Sequence, residues 1–343
     1  MPLLFLPWLA GCQTASYYAQ AVRGHCQIVA RQQPIADVLA RSETPEPLKA
    51  QLRLVLALRE FAEKDLQLPV NGHYLRYVDL ERRYVVWNVT AAPELSLKAE
   101  TWWYPFVGRL AYRGYFDEVT ARRHAAALAG RGFDVDVGGV RAYSTLGWFR
   151  DPVLNTFIHE PETALAELLF HELGHQRLFV GGDTDFSEAF AEAVAEEGTR
   201  RWVRAHRDPA AQRDYEARLQ RKAEFTRLVT GARASLAQLY RVETVRETAR
   251  LEKEAVFAQL RRDYAALQAT WGGRTDYERW FARPLNNAHL NDVDTYYRLV
   301  PAFHRLLHEH GGDLAAFHRA ARALSKLPKA ERQRQLERLL AAA

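Results

Sequence analysis

Two histidines four residues apart, with a glutamate beside the first, stand in the run His171-Glu172-Leu173-Gly174-His175. On a helix, positions four apart share a face, so His171 and His175 can turn two imidazole nitrogens toward one metal ion while Glu172 stands beside it. The chemistry that suits these types is metal-assisted hydrolysis. Zinc takes imidazole and carboxylate ligands, keeps a position open for water, and makes hydroxide available near neutral pH. Glu172 would take the water's proton and return it to the leaving amine. With twelve histidines in the chain, chance alone gives this five-residue pattern at a rate on the order of a few per cent, so its surroundings must decide.

Those surroundings are helical. The run ALAELLFHELGHQRLFV follows Pro161, carries Glu162 and Glu167 in its early turns, and stops at Arg177 and then Gly181-Gly182. A protein-held zinc needs a third ligand, and the next run, DTDFSEAFAEAVAEEG, reads as a second helix folded back on the first. Glu188 lies in its first turn and is the expected ligand, with Glu192 one turn on as the reserve. The competing use of Glu188 is a capping box with Asp185. Glu167, one turn before His171, either orients an imidazole or pairs with a neighbour on the helix surface. The expected cofactor is one Zn2+ per chain, held by His171, His175 and Glu188.

HELGHQ followed by SEAFA resembles the HExxHQ…NExFA pattern of the gluzincin aminopeptidases. AYSTLGWFRDPVLNTF, LAELLFHELGHQRLFVGGDTDFSEAFAEAVAEEG and NNAHLNDVDTYYRLVPAF resemble the bacterial lipoprotein family known as putative aminopeptidases. The likeness runs from LAGC to VPAF. Ser187 stands where the pattern has Asn, and the ligand spacing is shorter than in the large alanyl-type enzymes. The resemblance implies a zincin-like peptidase fold and a peptide substrate. In related gluzincins a tyrosine hydroxyl stabilises the oxyanion, and Tyr296 matches that residue, with Tyr297 as the alternative. Arg141 to Gly147, shortly before the metal helix, reads as an edge strand able to hydrogen-bond a substrate backbone. The resemblance supports substrate contact by Tyr143, Ser144, Thr145 and Gly147. Asn286 and Asn287 are open to two uses, substrate contact or bracing a loop. The G-x-M-E-N motif of the alanyl-type enzymes is absent, since Met1 is the only methionine. Glu192, Glu196 or an acid from the upstream strands is left to hold a substrate's ammonium.

At 343 residues and 48% hydrophobic, the chain can bury a substantial core. Its net charge of +5 is spread over helices where Arg and Glu interleave, so no nucleic-acid partner is expected. Leu9-Ala10-Gly11-Cys12 closes an uncharged apolar start and reads as a lipobox, with Cys12 acylated after cleavage of residues 1–11. This implies a bacterial envelope location, lipid-anchored on the periplasmic face of the outer membrane. Cys26 is then left alone, and no intrachain disulfide forms.

Periodicity divides the rest. Residues 12–70 read as a helical region interrupted at Pro34. Residues 71–205 read as the catalytic core, in which HYLRYVDL, RYVVWNVT, RLAYRGYF and FDVDVGGVRAYSTLG are strand candidates around the helix DEVTARRHAAALAGRG. Trp102 and Trp103 read as packed aromatics, and His124 as exposed. Residues 206–343 read as a C-terminal helical region with two long antiparallel helices and a break at Pro328. The expected fold class is therefore α+β and mainly helical, with a small sheet beside the HExxH helix. The rivals to an aminopeptidase are an endopeptidase of the same mechanism and a non-catalytic envelope lipoprotein.

Overall fold

The computed structural model describes residues 6–105, 108–142, 144, 149–243 and 245–342, with side chains from residue 14 onward. In chain order the elements are α1 (Leu6–Ala30), β1 (Gln33–Pro34), α2 (Ile35–Ala40), α3 (Glu46–Lys64), β2 (Arg76–Val78), β3 (Val86–Pro93), β4 (Trp102–Tyr104), β5 (Gly108–Leu110) and β6 (Tyr112–Tyr115). They continue as α4 (Glu118–Ala129), β7 (Phe133–Val140), β8 (Val153–Leu154), α5 (Glu162–Arg177), α6 (Thr184–Ala205), α7 (Pro209–Leu239) and α8 (Arg246–Thr270). Last come α9 (Glu278–Phe281), α10 (Asn287–Tyr297), α11 (Val300–Glu309), α12 (Leu314–Ser325) and α13 (Lys329–Ala341). The protein is mainly helical, with small sheets. Cys12 falls within α1, where its side chain is outside the description. No described helix is long and apolar enough to cross a membrane.

Local signals account for the helix boundaries. The side chain of Asp117 caps α4 by accepting from Thr120 N, Asp208 caps α7 ahead of Pro209, and Asp313 caps α12. Pro34 and Pro328 each stand just before a helix, where a missing N–H costs nothing.

One three-stranded sheet has the order β6-β3-β7, antiparallel throughout. Because side chains alternate along a strand, β3 presents Val89 and Ala91 to α4, where they pack with Tyr115, Ala121, Ala125 and Leu128. Its other face carries Val86 and Asn88 toward a cleft in front of α5, and Thr90 toward α10. Strand β7 ends at Val140. Arg141 turns away from it, its side chain ion-paired with Glu160 and its carbonyl accepting from Thr156. Of the expected edge strand, Arg141, Ala142 and Ser144 are described and belong to no strand, and Tyr143, Thr145 and Gly147 lie outside the described residues.

The largest hydrophobic core joins α2, α3, α5, α6, α11, α12 and α13, with Leu52, Leu169, Phe190, Phe303 and Phe317 at its centre. A second core lies between α7, α8 and α10 around Phe225, Phe257 and Leu290. Two expectations are corrected. His124 is not an exposed histidine but packs against Trp102 and Tyr115, and burial there lowers its pKa to about 4. Trp103 is 63% exposed, because it sits on the outer face of the β4–β5 hairpin.

Candidate metal centre

Helix α5 carries His171, Glu172 and His175, and α6 returns antiparallel against it. Small residues let the two helices approach. A Cβ at Gly174 would stand 3.1 Å from Ala191 Cα, and one at Gly198 would stand 2.8 Å from the Phe170 ring. Gly182, at φ +77°, turns the chain between the helices. The Ser187 hydroxyl then ties the turn, accepting from Val180 N at 3.0 Å and lying 3.0 Å from the Asp183 carbonyl, to which it donates. This is the work done at the position where the resembling pattern has Asn.

The close approach brings Glu188 to the histidines. The two Nε2 atoms lie 3.1 Å apart, and Glu188 Oε2 lies 3.2 Å from that of His171 and 3.4 Å from that of His175. Ligand atoms at about 2.0–2.1 Å from a tetrahedral zinc stand about 3.3 Å apart, so these three atoms have the edge lengths of such a site. His171, His175 and Glu188 are also the described histidine and acidic residues whose ligand atoms group as a metal site would require. The capping-box use of Glu188 is not what forms. α6 starts from Asp183, whose carboxylate pairs with Arg332 at 2.6 Å, and Glu188 faces the imidazoles instead.

Glu192, not Glu167, is placed to orient the ring: its Oε2 lies 3.0 Å from His171 Nδ1, a contact that with a metal bound would hold the tautomer whose Nε2 ligates. Glu167 instead accepts from the Tyr215 hydroxyl at 2.7 Å and pairs with Arg218 at 2.8 Å. Behind Glu192 stands Lys222 of α7, ion-paired with Glu192 and, at 2.8 Å, with Glu196, which also meets His304 Nε2 at 2.6 Å. Glu192 and Glu196 are therefore both matched to a lysine rather than held open for an ammonium.

Burial works against charge on all these groups, and their neighbours overrule it. Burial would lower the His171 pKa, yet Glu188 and Glu192 raise it well above the ordinary histidine value. The same burial would raise Glu188, but His175 and His171 hold its carboxyl down at about 2. Lys222 and His171 likewise hold Glu192 far below the usual carboxylate range. The field at the donor triangle is strongly anionic, and a divalent cation fits it. Glu172 differs: burial raises its carboxyl, with the two histidines pulling only partly back.

These side chains line a cleft of about 970 Å³ whose walls come from α1, β3, β6, α5, α6, α7 and α10. Tyr296 and Tyr297 both line it. The Tyr296 hydroxyl is held well above the ordinary tyrosine value, first by the charge of Glu188 and then by burial, so it stays a proton donor. Tyr112 of β6 also lines the cleft, and burial with Glu188 and Glu172 raises its hydroxyl in the same way. Sequence reasoning missed Tyr112, Arg218 and Lys222, which come from distant elements and carry no motif. Ser144 lines the cleft, its hydroxyl 3.4 Å from the Asp151 carboxylate.

Asn286 and Asn287 are not brought to this site. Asn286 caps α10 and donates to the Val135 carbonyl. Asn287, fully buried, donates to the carbonyls of Pro93, Glu94 and Ser96 and accepts from the Tyr240 hydroxyl. The Asn287 amide braces the loop after β3, the second of the two possible uses, while the Asn286 amide ties the start of α10 to β7.

A helix hairpin that gathers two imidazoles and a carboxylate, with a further glutamate at the cleft floor, defines this molecule's class of site. The chain belongs to the family described as "Putative aminopeptidase", whose model matches residues 16–336. No curated protein and no solved structure matches the chain significantly.

Proposed function

We propose that the protein is a zinc-dependent aminopeptidase of zincin-like type. The observation that carries this reading is the convergence of His171 Nε2, His175 Nε2 and Glu188 Oε2 at tetrahedral spacing, beside Glu172 and inside a cleft large enough for a peptide. The family membership supports the substrate class. Zinc held there would supply Lewis acidity toward a peptide carbonyl and toward a water molecule at neutral pH.

The chain's own residues do the rest. Glu172 accepts a proton from the attacking water and passes it to the nitrogen of the breaking peptide bond, so that an amine leaves and a carboxylate forms. Tyr296 donates its hydroxyl hydrogen to the oxygen that gains negative charge, with Tyr112 and Tyr297 on the same walls. Glu192, backed by Lys222, keeps His171 in its ligating tautomer.

Two substitutions test this. Glu172→Gln keeps the donor triangle and removes the base, so it should retain zinc and lose at least about 100-fold in peptide hydrolysis. His175→Ala should lose both zinc and hydrolysis. Metal analysis of each purified variant, beside turnover of a free-amine peptide, measures the two effects. Unchanged cleavage by Glu172→Gln would sink the mechanism.

A further inference from the structure

Beside the cleft lies a second cavity of about 170 Å³. Asn88, Tyr112, Val140 and Tyr296 line both spaces, so the two share a wall. The Asp292 carboxyl stands in the lining of the small cavity, with Thr90 Oγ1 3.4 Å from its Oδ2. Among the described residues no lysine, arginine or histidine nitrogen lies within ion-pair distance of it. The neighbouring acid, Asp136, takes both Arg283 and His289.

A carboxyl so placed is unfavourable as an isolated anion. Burial first, and the charge of Asp136 second, push it up to about 8, while Arg283 and Thr90 pull partly back. A small hydrogen-bonding cation entering the cavity would relieve that setting, finding one acid and a hydroxyl to receive its N–H groups. The acids of the main cleft offer no equivalent. Glu167 pairs with Arg218, Glu192 with Lys222 and Glu188 with the histidines, and Glu172, the fourth acid of the cleft, is taken up as the base. Asp292 and Tyr296 are four apart on α10, so one helix face presents the cavity's acid beside the cleft's tyrosine.

We propose that the Asp292 cavity binds a primary ammonium group of the substrate, either the α-ammonium of a peptide N-terminus or the ε-ammonium of a lysine side chain. This builds on the peptidase reading and assigns the part of the substrate that the motif residues leave unheld.

Binding, rather than turnover, tests it. Glu172→Gln serves as host, titrated calorimetrically with two pairs of tetrapeptides: Leu-Ala-Ala-Ala with a free or an acetylated N-terminus, and N-acetylated Lys-Ala-Ala-Ala or norleucine-Ala-Ala-Ala. One pair should show about tenfold or more preference for the ammonium-bearing member, and Asp292→Asn should reduce this to within about twofold. If the first pair carries the preference the ammonium is the N-terminus; if the second does, it is the side chain. Thr90→Val, on β3 rather than α10, should weaken the same preference. Asp292→Asn should unfold no earlier than its parent, since it removes a partly buried acid that the charge of Asp136 opposes. No preference in either pair, no binding at all, or a preference untouched by Asp292→Asn would overturn the assignment. Wild-type turnover separates the two readings. Asp292-dependent binding without hydrolysis keeps the cavity and removes the peptidase. Equal hydrolysis of the two members of each pair, with or without Asp292, keeps the peptidase and removes the cavity.

Discussion

Lys222 is the residue on which the support of His171 converges. One ammonium serves two buried carboxylates, Glu192 and Glu196, and also lies 4.8 Å from the Tyr297 ring centroid. Lys222→Met keeps the stem but leaves both acids without their cation. Breaking a buried pair in this way costs about 3–5 kcal/mol, chiefly through the uncompensated charges that remain. Urea unfolding should register that loss. Because Glu192 is then free to leave His171 Nδ1, zinc affinity should also fall, by about 10–100-fold. Adding Glu192→Gln should recover part of the stability by removing one of the stranded charges. Zinc binding at parental strength in Lys222→Met would mean that Glu192 orients the imidazole unaided. The ligands themselves were legible in the sequence because their relation is local: His171 and His175 share a helix face, and Glu188 follows a short turn. Lys222 and Tyr112 obey no such spacing, since they reach the site from a long C-terminal helix and from a strand well upstream.

At the scale of elements, the distance between α5 and α6 decides whether three donors can meet. Gly174, inside the histidine motif, is where that distance is set, with Ala191 backbone across from it. Gly174→Ala places a methyl 3.1 Å from Ala191 Cα, and backbone cannot move aside as a flexible side chain can. The helices must part by a few tenths of an ångström, at a cost of about 1–3 kcal/mol for overpacking. The expected result is a protein of unchanged helix content whose zinc affinity falls, read by circular dichroism and by competition with a chelator. Parental affinity would show that the hairpin absorbs the change elsewhere. Sequence reasoning found this hairpin from its glycine stop and apolar periodicity, but it left Glu167 between two uses and Glu192 as the reserve ligand, for one physical reason. Glu167 lies on the same face of α5 as His171, so along the helix it could either orient the ring or pair with a neighbour. An imidazole that ligates through Nε2 turns its Nδ1 across the helix pair, where Glu192 of α6 meets it. Helix periodicity describes one helix's surface and says nothing of what a neighbouring helix brings.

Across the whole molecule, the N-terminal helices and the C-terminal ones share the core that carries the metal hairpin, and His318 is a polar stitch in it. The residue is 3% exposed on α12, with Nε2 3.2 Å from the Leu66 carbonyl just after α3 and its ring against Phe190 of α6. Burial lowers its pKa to about 4; the Leu66 carbonyl opposes that shift, while the charges of Arg177 and Arg201 add to it. The unfolded chain, with an ordinary histidine value near 6.5, takes up the proton first as pH falls. Stability linked to His318 is therefore intact above about pH 6.5 and is lost progressively toward pH 4. The shift corresponds to a loss on the order of 3 kcal/mol across that window. His318→Gln cannot titrate, and its amide can still donate to Leu66. Urea unfolding at pH 7 and pH 5 should show a smaller difference for this variant than for the parent. Some acid sensitivity should persist in the variant, because His124 is shifted in the same direction, but its partial exposure screens that group and reduces its share. Equal acid sensitivity in parent and variant would remove His318 from the linkage and place the loss in the carboxylates that the hairpin and its partners hold ionised.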